Sequence, residues 1–185
     1  KKMGWRASDT RQLFFKDLKV PPEAMLGQVA DGFKFFLKTL TSGRISIGAL
    51  SIGTALGAFE NALQYATERE AFGKPIYKFQ SIGFKLADMA TEIEAAKLMV
   101  YHAAWLKDKG MDFTKQAAMA KLFASEMAMK STTEAIQVLG GYGYVKEYDV
   151  ERFFRDAKVL EIGEGTSEVQ RIIITREILK DFKIP

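Results

Sequence analysis

Cysteine is absent from the 185-residue sequence, and histidine occurs once, at His102. Without cysteine there is no disulfide framework, no thiol nucleophile and no thiolate metal site. One histidine within an apolar helical pattern cannot build a metal cluster by itself, and it is typical of an ordinary packed or half-exposed imidazole. The sequence therefore predicts no metal, and it disfavours catalysis by a histidine-based triad.

Long hydrophobic runs and blocks of like charge are also missing. The longest stretch free of charged residues lies between Arg44 and Glu60, which is shorter than the ~20 residues of a membrane-spanning helix. We predict a buried core helix there and no membrane span. The net charge is +4, but acidic and basic residues are interspersed, so no nucleic-acid partner is indicated.

Helical periodicity fills most of the chain and predicts five helices. They are expected from about Asp31 to Glu68, from near Ile82 to Lys109, from near Ala117 to Leu139, from a cap at Asp149 through Lys158, and from Ser167 to about Asp181. Short connectors between them predict an all-α fold, an antiparallel up-and-down four-helix bundle. Two stripes are predicted to be core: Ile82, Leu86, Met89, Ile93, Ala96, Val100 and Ala103, then Ala117, Ala120, Ala124, Met127, Ser131, Ala135 and Val138.

The first 27 residues differ from this pattern. Residues 12–20 are predicted to form a β-strand that ends at Pro21 and Pro22. A lone strand needs a sheet to join. We therefore interpret residues 1–27 as the tail of an upstream β domain and residues 28–185 as a C-terminal helical bundle domain. The chain begins at Lys1 without a methionine, which predicts a fragment or processed product.

The first helix carries three glycines and one notable cation. Gly48, Gly53 and Gly57 each cost about 1 kcal/mol of helix stability relative to alanine. Close packing of a neighbouring helix is predicted to explain them, in preference to approach of a ligand. Arg44 stands where the helix turns apolar, so a partner for its charge is predicted.

One carboxylate, Glu164, lies between Gly163 and Gly165, directly before Thr166 and Ser167. Flanking glycines allow a ligand to approach the backbone, which suits a catalytic base. The alternative is a solvated loop acid next to a capping box made by Ser167 and Gln170. Taken alone, the stretch favours this second interpretation.

Three separated motifs occur in order along the chain: Arg69-x-x-Phe72-Gly73-x-Pro75-Ile76-x-x-Phe79-Gln80, Gln137-x-Leu139-Gly140-Gly141-x-Gly143, and Gly163-Glu164-Gly165-Thr166-Ser167-Glu168. Together they resemble the C-terminal helical domain of the acyl-CoA dehydrogenases. The opening segment 4–10 and Arg152-x-x-Arg155-Asp156 fit the same family. The resemblance covers nearly the whole chain.

The resemblance implies a flavoprotein with a helical N-terminal domain, a β-barrel-like middle domain and this bundle, in a homodimer or homotetramer. FAD is implied between the middle domain and the bundle, with its adenosine-diphosphate part reaching a neighbouring subunit. The implied reaction converts an acyl-CoA thioester to the trans-2-enoyl-CoA, as in fatty-acid β-oxidation, and passes electrons to electron-transfer flavoprotein. The implied location is the bacterial cytoplasm or, in a eukaryote, the mitochondrial matrix.

Site residues follow from the resemblance by position. Glu164 matches the base that removes the α proton, and its backbone N–H matches a donor to the thioester oxygen. Such a base needs a pKa raised by a dry site, with donors aimed at the developing enolate. Arg44 and Gly165 are implied substrate contacts. The implied FAD contacts are Arg69, Phe72, Phe79, Gln80, Gln137, Gly140, Gly141, Thr166 and Glu168.

Two positions depart from common family patterns. Gly163 stands where a tyrosine often precedes the base, which predicts an altered acyl pocket. Gly43 precedes Arg44, where some branched-chain and long-chain members carry their base instead. The combination resembles short-chain or related bacterial enzymes. Two alternatives stay open: an acyl-CoA oxidase of the same fold, and a chain that acts alone only as a non-catalytic, self-associating helical assembly module.

Overall fold

A computed structural model describes residues 1–180 and 182. Within them, five α-helices and one short antiparallel hairpin make up the regular structure, apart from three short 3-10 turns. The bounds are α1 Gly32–Glu68, β1 Glu70–Ala71, β2 Lys74–Pro75, α2 Gln80–Asp108, α3 Thr114–Leu139, α4 Val150–Ile162 and α5 Ser167–Leu179.

Helix α3 is the centre of the fold and contacts α1, α2, α4 and α5. Helix α1 also contacts α2 and α4, so the predicted helical bundle is confirmed. All seven predicted core residues of α3 are buried. On α2 six of the seven are buried, and Ile82 is half-buried.

Helix α1 buries small residues rather than its large apolar ones. Phe33 and Phe36 are exposed, while the buried face consists of Arg44, Gly48, Ser51, Ile52, Ala55, Ala58, Ala62 and Ala66. The predicted close packing is confirmed at two glycines. A Cβ added at Gly48 would lie 2.8 Å from Val100 Cγ2, and one at Gly57 would lie 2.7 Å from the Phe153 ring. At Gly53, which is exposed, a Cβ would meet no atom of residues 1–180 or 182 within 4 Å.

The strand predicted over residues 12–20 is wrong for this chain. Residues 11–15 have no regular secondary structure and no ladder partners among the described residues, and Leu13 and Phe14 are exposed. A strand that lacks a neighbouring strand cannot satisfy its backbone groups in a ladder. The start of the segment docks on the bundle: the Trp5 backbone N–H donates to Asp156 at 2.6 Å. The division of the chain at residue 27 stays a prediction.

The ends of the last two helices also differ from expectation. Helix α4 continues past the predicted Lys158 to Ile162, because Ala157 and Leu160 continue its buried face. Asp149 precedes the helix but does not cap it with its side chain; its carboxylate pairs with Arg152 at 3.0 Å. Helix α5 includes the Ile172–Thr175 run, as predicted. Its predicted end at Asp181 lies outside the described residues.

Within residues 1–180 and 182, no helix has the length and apolar character needed to cross a membrane. The same residues contain no group of three or more His, Cys, Asp or Glu side chains placed to hold a metal ion.

Candidate active site and cofactor contacts

The loop between α4 and α5 makes a left-handed turn at Glu164. This residue has φ +56°, and Gly165 follows with φ +92°. Left-handed backbone costs an L-residue about 1–2 kcal/mol, whereas glycine adopts it freely. The turn therefore stores strain at the predicted base, a placement common at functional sites.

Helix α5 begins one residue earlier than the predicted capping box allows. Thr166, not Ser167, is the N-cap, and its hydroxyl accepts from the Val169 N–H at 3.4 Å. Ser167 is buried, and its Oγ has no partner among the described residues. The capping-box prediction was off by one position because Thr and Ser are both good N-caps and stand side by side.

Two buried side chains, Gln170 and Lys121, hold the turn through hydrogen bonds. Gln170 Nε2 donates to the carbonyl oxygen of Gly165 at 2.8 Å, and it lies 3.3 Å from that of Glu164. Lys121 Nζ donates to the same Gly165 oxygen at 2.8 Å. Two consecutive carbonyl groups are thus fixed by buried side chains of α3 and α5.

The Glu164 side chain lies against α1 at Gly43. A Cβ added there would stand 2.6 Å from Glu164 Oε2, so only glycine leaves this space for the carboxylate. The Glu164 residue itself is exposed. The described residues therefore place the carboxylate without forming the dry environment that the resemblance implies.

Arg44, the next residue of α1, is buried with 8% of its surface exposed. Burial lowers the pKa of its guanidinium and the nearby Arg176 lowers it further, while Glu164 opposes both. Nη1 lies 3.4 Å from the Thr41 hydroxyl, and Nε has no partner among the described residues. The predicted carboxylate partner within ion-pair distance is thus missing from this part of the chain. The charge of Glu164 acts on Arg44 from farther away.

Glu168 lies in the first turn of α5 and is exposed. Hydrogen bonds from its own backbone N–H and from the Thr166 hydroxyl hold the pKa of its carboxyl below the usual range. Free N–H groups at a helix N-terminus favour negative charge. The same end can accept an anionic ligand group.

The second group of predicted residues lies at the hairpin after α1. Its two-residue turn, Phe72 and Gly73, has φ +51° and +77°, and positive φ at both positions is typical of tight hairpin turns. The turn leaves the Phe72 ring 96% exposed. Phe79 packs edge-on against that ring, with centroids 6.1 Å apart. Gln80 begins α2 and is exposed.

Beside the hairpin lies an open pocket of about 770 Å³. Arg69 caps the end of α1 and its guanidinium lies 6.0 Å from the Tyr142 ring centroid. The backbone of Gly140 and Gly141 lines the pocket. Gln137, one helical turn before Gly140, is exposed and does not line the pocket. Three tyrosines in tilted or edge-to-face contact complete the aromatic wall: Tyr65, Tyr142 and Tyr148.

Gly140 ends α3, as predicted, but not in the left-handed helical conformation. Its φ of +61° is combined with ψ of −130°, a region that essentially only glycine occupies. The backbone then continues as a short 3-10 turn, Gly140–Tyr144.

The two groups lie far apart. Gly43, beside Glu164, and Arg69 are separated by 26 residues (69 − 43) along α1, which corresponds to about 39 Å at 1.5 Å per residue. One ligand pocket of ordinary size does not span that distance. The chain therefore carries two separate groups of candidate site residues, called partial sites below.

Comparison with known proteins identifies the group to which these motifs belong. Residues 30–179 match the protein-family model described as "Acyl-CoA dehydrogenase, C-terminal domain". The chain belongs to the acyl-CoA dehydrogenase family.

Individual relatives agree with this assignment. The chain is 58% identical over 179 residues to the Bacillus subtilis protein named "Probable acyl-CoA dehydrogenase YngJ", covering 97% of this chain and 47% of that one. The solved butyryl-CoA dehydrogenase of Megasphaera elsdenii is 51% identical, with a TM-score of 0.95 over 97% of this chain and 47% of that chain. A chain of the structure described as "Electron transferring flavoprotein of Acidaminococcus fermentans: Towards a mechanism of flavin-based electron bifurcation" is 50% identical, with a TM-score of 0.96, covering 98% and 48%. The chain thus spans about half the length of the relatives it matches.

Within this acyl-CoA dehydrogenase bundle, sequence patterns overlooked several residues of the site. Gln170 was assigned only to a cap, and Lys121 to no site at all. The signal for Lys121 is its spacing: it stands four residues after the buried Ala117 and three before the buried Ala124, on a face of small apolar residues. A charged residue on such a face needs a specific partner. The pocket tyrosines are scattered along the chain, so spacing gave no signal for them.

Proposed function

We propose that this chain is the C-terminal, base-supplying part of an FAD-dependent acyl-CoA dehydrogenase that acts on a short-chain acyl-CoA. The observation that carries the proposal is the Glu164 turn. A single carboxylate is held in a left-handed turn before α5, with Oε2 in the space left by Gly43. The similarity to the butyryl-CoA dehydrogenase supports the substrate class.

In the proposed reaction, Glu164 removes a proton from the α carbon of the thioester. The Glu164 N–H donates a hydrogen bond to the thioester oxygen, where negative charge develops as the proton leaves. Bound FAD would supply the two-electron acceptor for the hydride that leaves the β carbon. The acyl chain and the rest of the protein cover the exposed carboxylate, which excludes water from the base. The buried positive charge of Arg44 stabilises the same region of negative charge.

The residues around the hairpin fit one end of FAD. Arg69 offers a guanidinium, which suits a diphosphate, and Tyr142 offers a ring face to a flat heterocycle. Gly140 and Gly141 allow close backbone approach. The pocket of about 770 Å³ lies within the usual range of 300–1,000 Å³ for ligand sites. In this proposal Phe72, Phe79 and Gln80 contact the flavin region, and Thr166 and Glu168 contact FAD near α5.

The separation of about 39 Å between the two partial sites supports a homo-oligomer, dimer or tetramer. Glu164 then serves the flavin of its own subunit, and Arg69 serves the flavin of a neighbour. Electron-transfer flavoprotein is the proposed electron acceptor, which the similarity to a chain of the Acidaminococcus fermentans structure supports. The proposed location is the bacterial cytoplasm or, in a eukaryote, the mitochondrial matrix.

The test is Glu164→Gln in the protein expressed from its complete reading frame, with FAD bound. Loss of the base is expected to slow anaerobic bleaching of the flavin by butyryl-CoA by about 100-fold or more. Stopped-flow absorbance measures the rate, and flavin content per subunit is measured first. Glu94→Gln is the matched control, because Glu94 pairs with Lys97 on α2 and belongs to neither partial site.

Near-normal bleaching by the Glu164→Gln variant would disprove the assigned base. Reoxidation of the reduced wild-type protein separates the proposed dehydrogenase from an oxidase. A dehydrogenase is reoxidised by electron-transfer flavoprotein faster than by air, and the reverse order would favour the oxidase.

A further inference from the structure

Lys121 of α3 is a charged residue buried beneath the Glu164 turn. Its relative exposure is 0%, and its Nζ donates to the Gly165 carbonyl oxygen at 2.8 Å. Among the described residues it forms no ion pair within 4.0 Å. Lysine is almost never fully buried without a charged partner, because desolvation penalises the ammonium. The position therefore costs stability.

The surrounding charges do not remove that cost. Burial lowers the pKa of the Lys121 amine; Glu161 of α4, Glu126 of α3 and Glu168 of α5 raise it, and Arg44 of α1 lowers it. The one close acceptor among the described residues is a neutral carbonyl oxygen. A residue that is costly to bury and reaches a single backbone atom points to a role in holding that atom in place.

The atom concerned belongs to a strained turn. Glu164 and Gly165 both have positive φ, and Gln170 Nε2 donates to the same oxygen at 2.8 Å. A turn that is unfavourable for an L-residue persists only where its surroundings hold it. Lys121 and Gln170 approach from two helices, α3 and α5, and both bonds end on the carbonyl directly after Glu164.

We propose that Lys121 is a positioning residue for the base: its hydrogen bond to Gly165 holds the turn that places the Glu164 carboxylate beside Gly43. The proposal rests on the proposed function, in which Glu164 is the base, and it adds a residue to which that function gives no role. Lys121 does not touch the reacting atoms. Its effect is carried through one backbone carbonyl.

The test is Lys121→Met in the complete, FAD-bound protein. Methionine has a similar length but no donor. Burying an ammonium that has no charged partner is costly, so an apolar side chain at the buried Lys121 position should leave the melting temperature the same or raise it. Because small misplacements of reacting groups are costly, flavin reduction by butyryl-CoA should slow by about 10- to 100-fold. The Kd for butyryl-CoA should change less than about 3-fold, since Lys121 makes no substrate contact and K121M removes no binding group.

Two further variants complete the design. Thr132→Val is the matched control, because Thr132 is equally buried on α3 and its hydroxyl donates only to carbonyls of its own helix. It should leave the rate unchanged. Lys121→Arg keeps a donor at the position and should recover most of the rate that K121M loses. Loss of folded protein in K121M would overturn the proposal, because it would assign Lys121 to stability.

A readout without catalysis separates this proposal from the proposed function. Amide hydrogen exchange of residues 163–170, measured without substrate, should be faster in K121M and unchanged in T132V. Unchanged exchange in K121M would overturn the positioning role even if Glu164→Gln abolishes activity. If Glu164→Gln instead retains activity, the base assignment fails, while faster exchange in K121M still supports the anchoring of the turn.

Discussion

At the scale of single residues, the position of the candidate base depends on the space that the neighbouring glycine leaves for its side chain. The carboxylate of Glu164 occupies the space where a side chain at Gly43 would begin, 2.6 Å from its Oε2. A carboxylate is the far end of a flexible side chain and can move aside at little cost in folding energy. Gly43 is therefore expected to matter for the position of the base more than for stability.

Gly43→Ala tests this directly. Alanine favours the helix over glycine, so the melting temperature should not fall, while displacement of the carboxylate should slow flavin reduction by about 10- to 100-fold. Gly53→Ala on the same helix is the control, because its added Cβ would meet no described atom within 4 Å. That variant should be stabilised by about 0.5–1 kcal/mol at an unchanged reduction rate. A normal rate in Gly43→Ala would contradict the placement of Glu164.

At the residue scale, sequence can select candidates whose motif is contiguous, and it cannot select residues that only tertiary contacts bring together. Glu164 and its glycines could be selected because the motif is contiguous. The cap was misassigned from Thr166 to Ser167, since two good N-caps are adjacent and only the backbone conformation distinguishes them. Lys121 could not be assigned to the turn, because its acceptor is a carbonyl 44 residues away and sequence spacing carries no information on such a contact.

At the scale of the elements, helix existence and core stripes on α2 and α3 followed from period alone. Helix α1 did not follow this rule. Its large apolar residues near the start, such as Phe33, are exposed, and alanines and glycines form its buried face. A hydrophobic pattern identifies the face of a helix that is expected to be buried. It does not identify the surface against which that face packs. The strand predicted over residues 12–20 failed for the same reason, because its pattern does not identify a neighbouring strand to pair with.

The end of α3 gives a prediction at this scale. The chain reverses through Gly140–Tyr144, and a Cβ at the buried Gly143 would stand 2.5 Å from the Ile136 carbonyl oxygen and 2.9 Å from Ile136 Cα. Backbone atoms cannot yield as a side chain does, so Gly143→Ala should lower the free energy of unfolding by about 1–3 kcal/mol. Gly141→Ala, whose Cβ would meet no described atom within 4 Å, should change it by less than about 1 kcal/mol. Chemical denaturation measures both, and equal stabilities would contradict the close packing of this turn.

At the scale of the whole molecule, α1 acts as a spacer between two partial sites. Its N-terminal half faces Glu164 and its C-terminal end carries Arg69, about 39 Å away. Phe72 is 96% exposed at one of these sites, and Glu164, the candidate base, is exposed at the other. Exposed aromatic rings beside an open pocket mark a surface that another protein or a ligand covers.

The last prediction concerns the 185-residue chain expressed by itself. Each partial site then presents one wall of a pocket, and neither wall encloses FAD, so the purified chain should be colourless and inactive towards butyryl-CoA. Ligand sites usually bury 70–90% of their ligand, which an open surface cannot achieve. The protein from the complete reading frame is the control and should be yellow and active. Flavin absorbance after dialysis against excess FAD measures how much cofactor the chain binds. Tight stoichiometric binding by the short chain would show that the bundle alone encloses FAD, which would contradict the arrangement of two partial sites.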